Sequence, residues 1–148
     1  METGNTSVYF ALTGDNFDPQ IVTERIGIAP TEMWKKGDKG KYKPTLDYSC
    51  WKLSTEVGKE YIMVDSLVEE IIGQLFDKIE IINELKNQFD LNSVLEIVMY
   101  IDTNEEQSTP ALGHDLRTIE FLYRTLRITD IDIYRFNSAN NETERNAL

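Results

Sequence analysis

Four stretches of the chain alternate apolar and polar residues with the period of two that is typical of half-buried β-strands. They are SVYFALT at 7–13, YSCWKLST at 48–55, SVLEIVMYID at 93–102 and ITDIDIYRF at 128–136. The third is the best candidate for a central strand. In the second, Trp51 lies on the same side as Leu53, so we expect its indole to face inward. A shorter segment, TEMWK, follows Pro30 and predicts an edge strand that forms a long-looped hairpin with the Trp51 strand.

The segment between the first two predicted strands has the start and stop residues that are typical of a short helix. Asp18 is a typical N-cap residue, and Pro19 follows at the first helical position, where its missing N–H costs nothing. Gly27 stands where a left-handed C-terminal residue is wanted. Phe17 before the cap and Val22 inside the helix can form a hydrophobic staple.

A long amphipathic helical run is predicted from Ser66 to Phe89, because its apolar residues recur every three or four positions. Ser66 with Glu69 has the spacing of a capping box, and Asp77 with Glu80 repeats that spacing. We therefore expect the run to break or bend near Asp77. The apolar residues of the stripe are Val68, Ile71, Ile72, Leu75, Ile79, Ile82, Leu85 and Phe89.

A further helix is predicted in LRTIEFLYRTL, which begins at Leu116. Helical spacing groups five of its apolar residues on one face, and we expect this face to pack on the sheet. The five residues are Leu116, Ile119, Leu122, Tyr123 and Leu126.

This order of elements predicts an α+β fold, with a mixed, mostly antiparallel sheet of about five strands and two to three helices mainly on one face. A chain of 148 residues suits one domain, for which we expect the bounds 7–136. The residues at 1–6 and 137–148 are mostly polar, which predicts flexible tails.

The composition limits the covalent and membrane chemistry of the chain. Cys50 is the single cysteine and His114 the single histidine, so neither an internal disulfide nor a zinc site is expected. No stretch approaches the roughly 20 apolar residues that span a bilayer, and METGNTS does not resemble a signal peptide. We expect a cytoplasmic protein without membrane association.

Charge is segregated along the chain. The formal net charge is −11, yet residues 35–43 hold five lysines and one aspartate and so carry +4, which leaves −15 elsewhere. An acidic chain repels phosphates, so no nucleic-acid partner is expected, whereas a basic protein partner would be attracted. The lysine loop itself has three interpretations: a solvated connection, a contact surface, or an intramolecular clamp on the acidic remainder.

Candidate chemistry is sparse. A nucleophile needs a base beside it, and Cys50 with His114 is the one available pair, but a buried structural cysteine is the ordinary interpretation. His114 is expected at a helix start, in a capping or exposed role. Asp130 and Asp132 share one side of the last strand, where they suit acid/base chemistry or a hard cation or, more commonly, a solvated face. GDKGK lacks the following helix that a phosphate site requires. We therefore predict no catalytic residue, metal or cofactor.

The succession LTGDNFDPQIVTERIGIAPTEMWKKGD, then CWKLST, a long amphipathic helix and a closing DIDIY, resembles the bacterial domain of unknown function numbered 4279. The resemblance runs from about Val8 to Tyr134 and departs from the family in its long lysine-rich insertion. It implies a compact α+β domain that usually stands alone, and it implies no reaction. The residues that carry it most specifically are Gly14, Asp18, Pro19, Gly27, Pro30, Thr31, Trp34, Gly37, Asp38, Trp51, Leu53, Asp132 and Tyr134.

Two functional hypotheses follow. The first is a non-enzymatic, acidic protein-binding module, by analogy an immunity or inhibitor protein for a toxin, acting as a monomer or a homodimer. The second is a small-ligand-binding protein or enzyme with a site near the turn from Trp34 to Asp38, where tryptophans and carboxylates would line a pocket. The candidate binding residues are Trp34, Lys35, Lys36, Asp38, Trp51, Asp132 and Tyr134.

Overall fold

The computed structural model describes residues 6–55, 63–109, 111–125 and 129–139. Its described strands form one five-stranded sheet in the order β2-β3-β1-β4-β5. The strands are β1 (Ser7–Gly14), β2 (Glu32–Trp34), β3 (Ser49–Ser54), β4 (Asn92–Asp102) and β5 (Thr129–Phe136).

The sheet is mixed and mostly antiparallel, as predicted. β1 pairs antiparallel with β3 and with β4, and β2 pairs antiparallel with β3, which confirms the predicted hairpin. β5 pairs parallel with β4 and lies at the edge of the sheet opposite β2. β1 lies at the centre of the sheet, and β4 is interior beside it.

The first helix, α1 (Pro19–Ile26), has the predicted ends. The Asp18 carboxylate accepts the backbone N–H of Gln20 at 3.0 Å, and Gly27 closes the helix with a left-handed φ of 78°. Glycine adopts that φ without a steric penalty, so the sequence alone specifies this helix end.

The predicted long helix is two consecutive helices, α2 (Val64–Leu75) and α3 (Ile79–Phe89), joined by a tight 3-10 turn at Phe76–Lys78. The predicted break near Asp77 is confirmed. Both predicted capping boxes are wrong. α2 begins one turn earlier, after Met63, and α3 begins after Lys78, and neither cap residue makes a side-chain hydrogen bond.

The core lies on one face of the sheet, where the helices pack. Val8, Phe10 and Leu12 of β1 meet the apolar side of α2, and Trp51 is fully buried beside them, as predicted. The Trp51 indole donates to Thr23 Oγ1 of α1 at 3.0 Å, so the strand and the helix are joined by a polar contact inside the packing. The α+β architecture with helices on one side is thus confirmed.

The last helix, α4 (Leu116–Arg124), turns a different face to the core than its sequence predicts. Phe121 is fully buried and packs edge-on against Phe10, with ring centroids 5.7 Å apart. Leu116, Ile119 and Tyr123 are exposed instead of buried, and Leu122 is half-buried. Leu126, the fifth predicted member, lies outside the described residues. The predicted packing face of this helix is therefore wrong.

The opposite face of the sheet takes no part in the core cluster. Its side chains are the alternate residues of each strand, such as Tyr9 and Ala11 of β1 and Lys52 of β3. We call this surface the open face; it is formed by Glu32, Trp34, Tyr9, Ala11, Thr13, Cys50, Lys52, Val94, Glu96, Val98, Tyr100, Asp130, Asp132 and Tyr134.

Among the described residues, no helix has the length and apolar character needed to cross a membrane. The predicted domain bounds of 7–136 stay a prediction, since much of both predicted tails, at 1–5 and 140–148, lies outside the described residues.

Candidate functional site

Three carboxyl groups meet on the open face at the junction of β4 and β5. Glu96 is the register partner of Asp130, and Asp132 follows two positions later on the same side of β5. One carboxylate oxygen from each residue lies within 4.8 Å of the other two. We call Glu96, Asp130 and Asp132 the carboxyl cluster.

Glu96 is the buried member of the carboxyl cluster. Only 4% of it is exposed, and its Oε1 has no hydrogen-bond partner in the part of the chain that the structure describes. Burial raises its pKa to about 8, and the adjacent carboxyls of Asp132 and Asp130 add to the rise, because a proton shared with them favours the neutral form. The burial and the crowding of three carboxyl groups thus disfavour a negative charge on Glu96.

Tyr9 lies beside the carboxyl cluster, and Lys52 lies over the Tyr9 ring. Burial, and after it the charges of Glu96 and Asp132, raise the pKa of Tyr9 to about 12. The Lys52 ammonium lies 4.1 Å from the centre of the Tyr9 ring and 4.0 Å from a Glu32 oxygen. Beyond the cluster, Tyr100 and Tyr134 stack with ring centroids 5.1 Å apart.

The two tryptophans of the predicted site lie on opposite faces of the sheet. Trp51 points into the core, whereas Trp34 pairs with Cys50 in the register and therefore points to the open face. Trp34 is half-buried and packs edge-on against Tyr48, with ring centroids 5.6 Å apart. Because the sheet separates the two indoles, they cannot line one pocket.

Lys35, Lys36 and Asp38 form a turn after β2. The Asp38 carboxylate accepts the Lys35 backbone N–H at 2.8 Å, and Gly37 takes a left-handed φ of 94°. The two ammonium groups reach the loop before α1, at 3.3 Å from Asp15 for Lys36 and 3.9 Å from Asp18 for Lys35. Of the three interpretations of the lysine loop, an intramolecular clamp describes these first two lysines.

Asp132 and Tyr134 lie at the other edge of the sheet from this turn. Four strand spacings separate β2 from β5, which amounts to about 19 Å. The structure therefore divides the predicted binding residues between two edges and the core. Their role in binding stays a prediction.

Glu96 is the site residue that the sequence interpretation missed. It is the one charged side chain between Val94 and Tyr100 in an otherwise apolar strand, and this isolation was the available signal. Its meeting with Asp130 and Asp132 depends on the parallel register of β4 and β5, which the alternating pattern does not specify.

A second surface is the outer side of α4. Leu116 is 85% exposed, Ile119 51% and Tyr123 78%, and their spacing places them on one side of the helix. We call these three residues the α4 stripe. At its sides Arg117 pairs with Glu69 of α2 at 2.8 Å and Arg124 pairs with Glu120 at 3.7 Å.

The candidate nucleophile and base do not form a pair. Cys50 is buried on the open face, where burial raises the pKa of its thiol to about 11. His114 precedes α4, whose residue Phe121 packs on the core face. His114 lies at the helix start as predicted, but of its two predicted roles capping is wrong, because Asp115 is the N-cap and accepts the Thr118 N–H at 2.8 Å, and His114 is half-buried instead of exposed.

These features define an α+β domain with one helix-covered and one open sheet face. The sequence model of the family described as Domain of unknown function (DUF4279) matches residues 3–135, and the chain belongs to this family. No curated protein and no solved structure matches the chain.

Proposed function

We propose that the protein is a non-enzymatic binding module for another protein, and that the α4 stripe is the centre of its contact surface. The observation that carries the proposal is the exposure of Leu116, Ile119 and Tyr123 on one helix face. Water-exposed apolar side chains that are grouped in this way are typical of protein interfaces. An isolated exposed leucine would need no such account.

The rim of the α4 stripe favours a partner with basic residues. A small cleft beside the start of α4 is lined by Asp65 and Asp115, which supply acceptors for a lysine or arginine. Arg117 and Arg124 at the sides of the stripe are already paired with acidic groups. The net charge of −11 would steer such a partner from a distance. The occupant we propose is therefore a protein that presents apolar side chains within a basic surround.

The protonation state of the Cys50 thiol agrees with a non-catalytic role. A cysteine nucleophile acts as the thiolate, and the pKa of about 11 keeps Cys50 protonated at neutral pH. Acidic, small binding proteins that inhibit a toxin are one class with these properties, and we extend the proposal to that class by analogy of size and charge.

The test is photo-crosslinking from within the α4 stripe. In one variant a photo-reactive phenylalanine derivative replaces Ile119. In a control variant it replaces Tyr42, which is 90% exposed in the lysine loop. Both are irradiated in extracts of the source cell at about 50 mM and about 500 mM salt. We expect a discrete crosslinked protein with the probe at 119, weakened at high salt because surface charge attraction is screened.

Substitutions decide whether the contact belongs to the α4 stripe. Leu116→Ser with Tyr123→Ser should abolish copurification of the crosslinked protein, whereas Tyr42→Ser should leave it unchanged. Equal crosslinking from both positions, or copurification that survives the double substitution, would refute the proposal. A crosslink to a second copy of the chain would also refute it and would make the stripe a homodimer contact.

A further inference from the structure

The open face carries a feature that the proposed protein binding does not use. We propose that the carboxyl cluster is a binding site for one hard divalent cation of the size of Ca²⁺. The proposal is independent of the α4 stripe, because Glu96, Asp130 and Asp132 lie on the face of the sheet opposite the one that α4 packs on.

The geometry of the carboxyl cluster suits a single ion. Ca²⁺ binds oxygen ligands at about 2.3–2.6 Å, so two ligands on opposite sides of the ion are about 5 Å apart. The three carboxylate oxygens lie within 4.8 Å of one another, so all of them can reach one ion without movement of the strands. Carboxylates are the ligands that hard cations prefer, and no softer ligand belongs to the cluster.

Burial of Glu96 is the second, independent observation. Only 4% of it is exposed, and Oε1 has no hydrogen-bond donor in residues 6–55, 63–109, 111–125 and 129–139. A buried carboxylate oxygen that no donor reaches is costly unless a positive charge lies next to it. One of its carboxylate oxygens lies within 4.8 Å of an oxygen of Asp130 and of Asp132, so this buried side chain points into the carboxyl cluster.

Lys52, the basic side chain beside Tyr9, is paired with groups outside the carboxyl cluster. Lys52 lies over the ring of Tyr9 and within 4.0 Å of Glu32 on the next strand. Asp130 and Asp132 are exposed, so water molecules can complete the coordination of an ion that binds the buried Glu96. A site with three protein ligands and an open side should bind Ca²⁺ with a dissociation constant of about 10⁻⁴ M.

The test is calorimetric titration of the full chain with CaCl2 after removal of metals by a chelator, with MgCl2 as the smaller ion. We expect one Ca²⁺ per chain, and a rise of about 3 °C or more in Tm at 5 mM CaCl2 over NaCl of equal ionic strength. Tb³⁺ gives a second readout, because Tyr9 lies beside the carboxyl cluster and can sensitise its luminescence on excitation near 280 nm.

Matched variants assign the binding to the cluster. Glu96→Gln and Asp132→Asn should each weaken Ca²⁺ binding at least tenfold. Glu105→Gln with Glu106→Gln, which removes charge from an exposed loop, should leave it unchanged. No heat and no rise in Tm with Ca²⁺ up to 10 mM would overturn the proposal and leave a shared proton as the counter-charge. An equal response of the loop variant and the cluster variants would overturn it as well.

Discussion

Trp51 and Trp34 differ in what their indole nitrogens contact. Trp51 Nε1 donates to Thr23 Oγ1 in the core, whereas Trp34 Nε1 is buried without a partner among the described residues. Removing a donor that makes a hydrogen bond leaves its acceptor unpaired, which lowers the free energy of unfolding. Removing a donor that has no partner carries no such loss. The two residues therefore form a natural pair for substitution.

We predict that Trp51→Phe lowers the free energy of unfolding by about 2–3 kcal/mol, because it leaves a cavity and removes the hydrogen bond to Thr23. Trp34→Phe should cost less than about 1 kcal/mol, since Trp34 is half-buried at the edge of the sheet. Urea unfolding at 25 °C, followed by circular dichroism, measures both. Equal losses would contradict both the larger cost of the deeper burial of Trp51 and the contribution of its hydrogen bond.

A second residue-scale prediction concerns the pH dependence of stability. The pKa of Glu96 is raised from 4.5 to about 8 in the folded protein, and Asp130, Asp132 and Tyr9 are the titratable groups that face it. Between these two values only the folded chain holds the proton, so stability falls as the pH rises from 4.5 to 8 and is level above 8. A glutamine amide at this position does not titrate and is neutral throughout that range.

We therefore expect Glu96→Gln to raise Tm by about 3 °C or more at pH 8.5 with a chelator present, and the gain to shrink towards pH 5. Scanning calorimetry at half-unit pH steps measures the difference. The same substitution at the exposed Glu70 controls for the loss of one charge. A gain that is the same at pH 5 and pH 8.5 would contradict the assignment of the raised pKa to Glu96.

At the scale of elements, the helices differ in how their ends are capped. α1 has a side-chain cap and a glycine, α4 is capped by Asp115, and α2 and α3 start without a side-chain cap. Asp90, the C-cap residue that follows α3, takes a left-handed φ of 52° and places a negative charge at the helix C-terminus. Both properties are unfavourable at this position.

We predict that Asp90→Gly stabilises the protein by about 1 kcal/mol, because glycine adopts the left-handed conformation without strain and removes the charge. Asp90→Asn, which removes the charge and keeps the side chain, should gain less. Urea unfolding of the two variants separates the contributions. A loss of stability in Asp90→Gly would mean that the greater freedom of glycine in the unfolded chain outweighs both gains.

α4 illustrates why a helix pattern does not fix its orientation. Its sequence offers one face with Leu116, Ile119 and Tyr123 and another with Thr118 and Phe121. The second face is buried, because Phe121 packs edge-on against Phe10 of the central strand. Periodicity identified the helix, while the choice between two apolar faces depended on a contact distant in sequence.

At the scale of the whole molecule, one core cluster joins α1, α2, α3 and α4 to the sheet. A single core is expected to unfold in one cooperative step. We predict that Trp51 fluorescence, measured in a Trp34→Phe background, and far-ultraviolet circular dichroism give the same urea midpoint, with a slope of about 1–3 kcal/mol per molar urea. Separate midpoints would show that the sheet and the helices unfold independently.

The sequence by itself determined the strands, the ends of α1, the break near Asp77 and the inward position of Trp51. Each of these depends on neighbours within a few residues: alternation, a cap, or a stop signal. The segregation of charge also needed no structure.

Tertiary structure decided the rest. Four features depend on contacts between residues that are distant in the chain. They are the strand order, the parallel pairing of β5 with β4, the separation of Trp34 from Trp51 and the exposed face of α4. Alternation gives each strand two faces but does not set which strand lies beside it or in which register. Glu96 and Asp130 are 34 positions apart, so only that pairing could bring the carboxyl groups together.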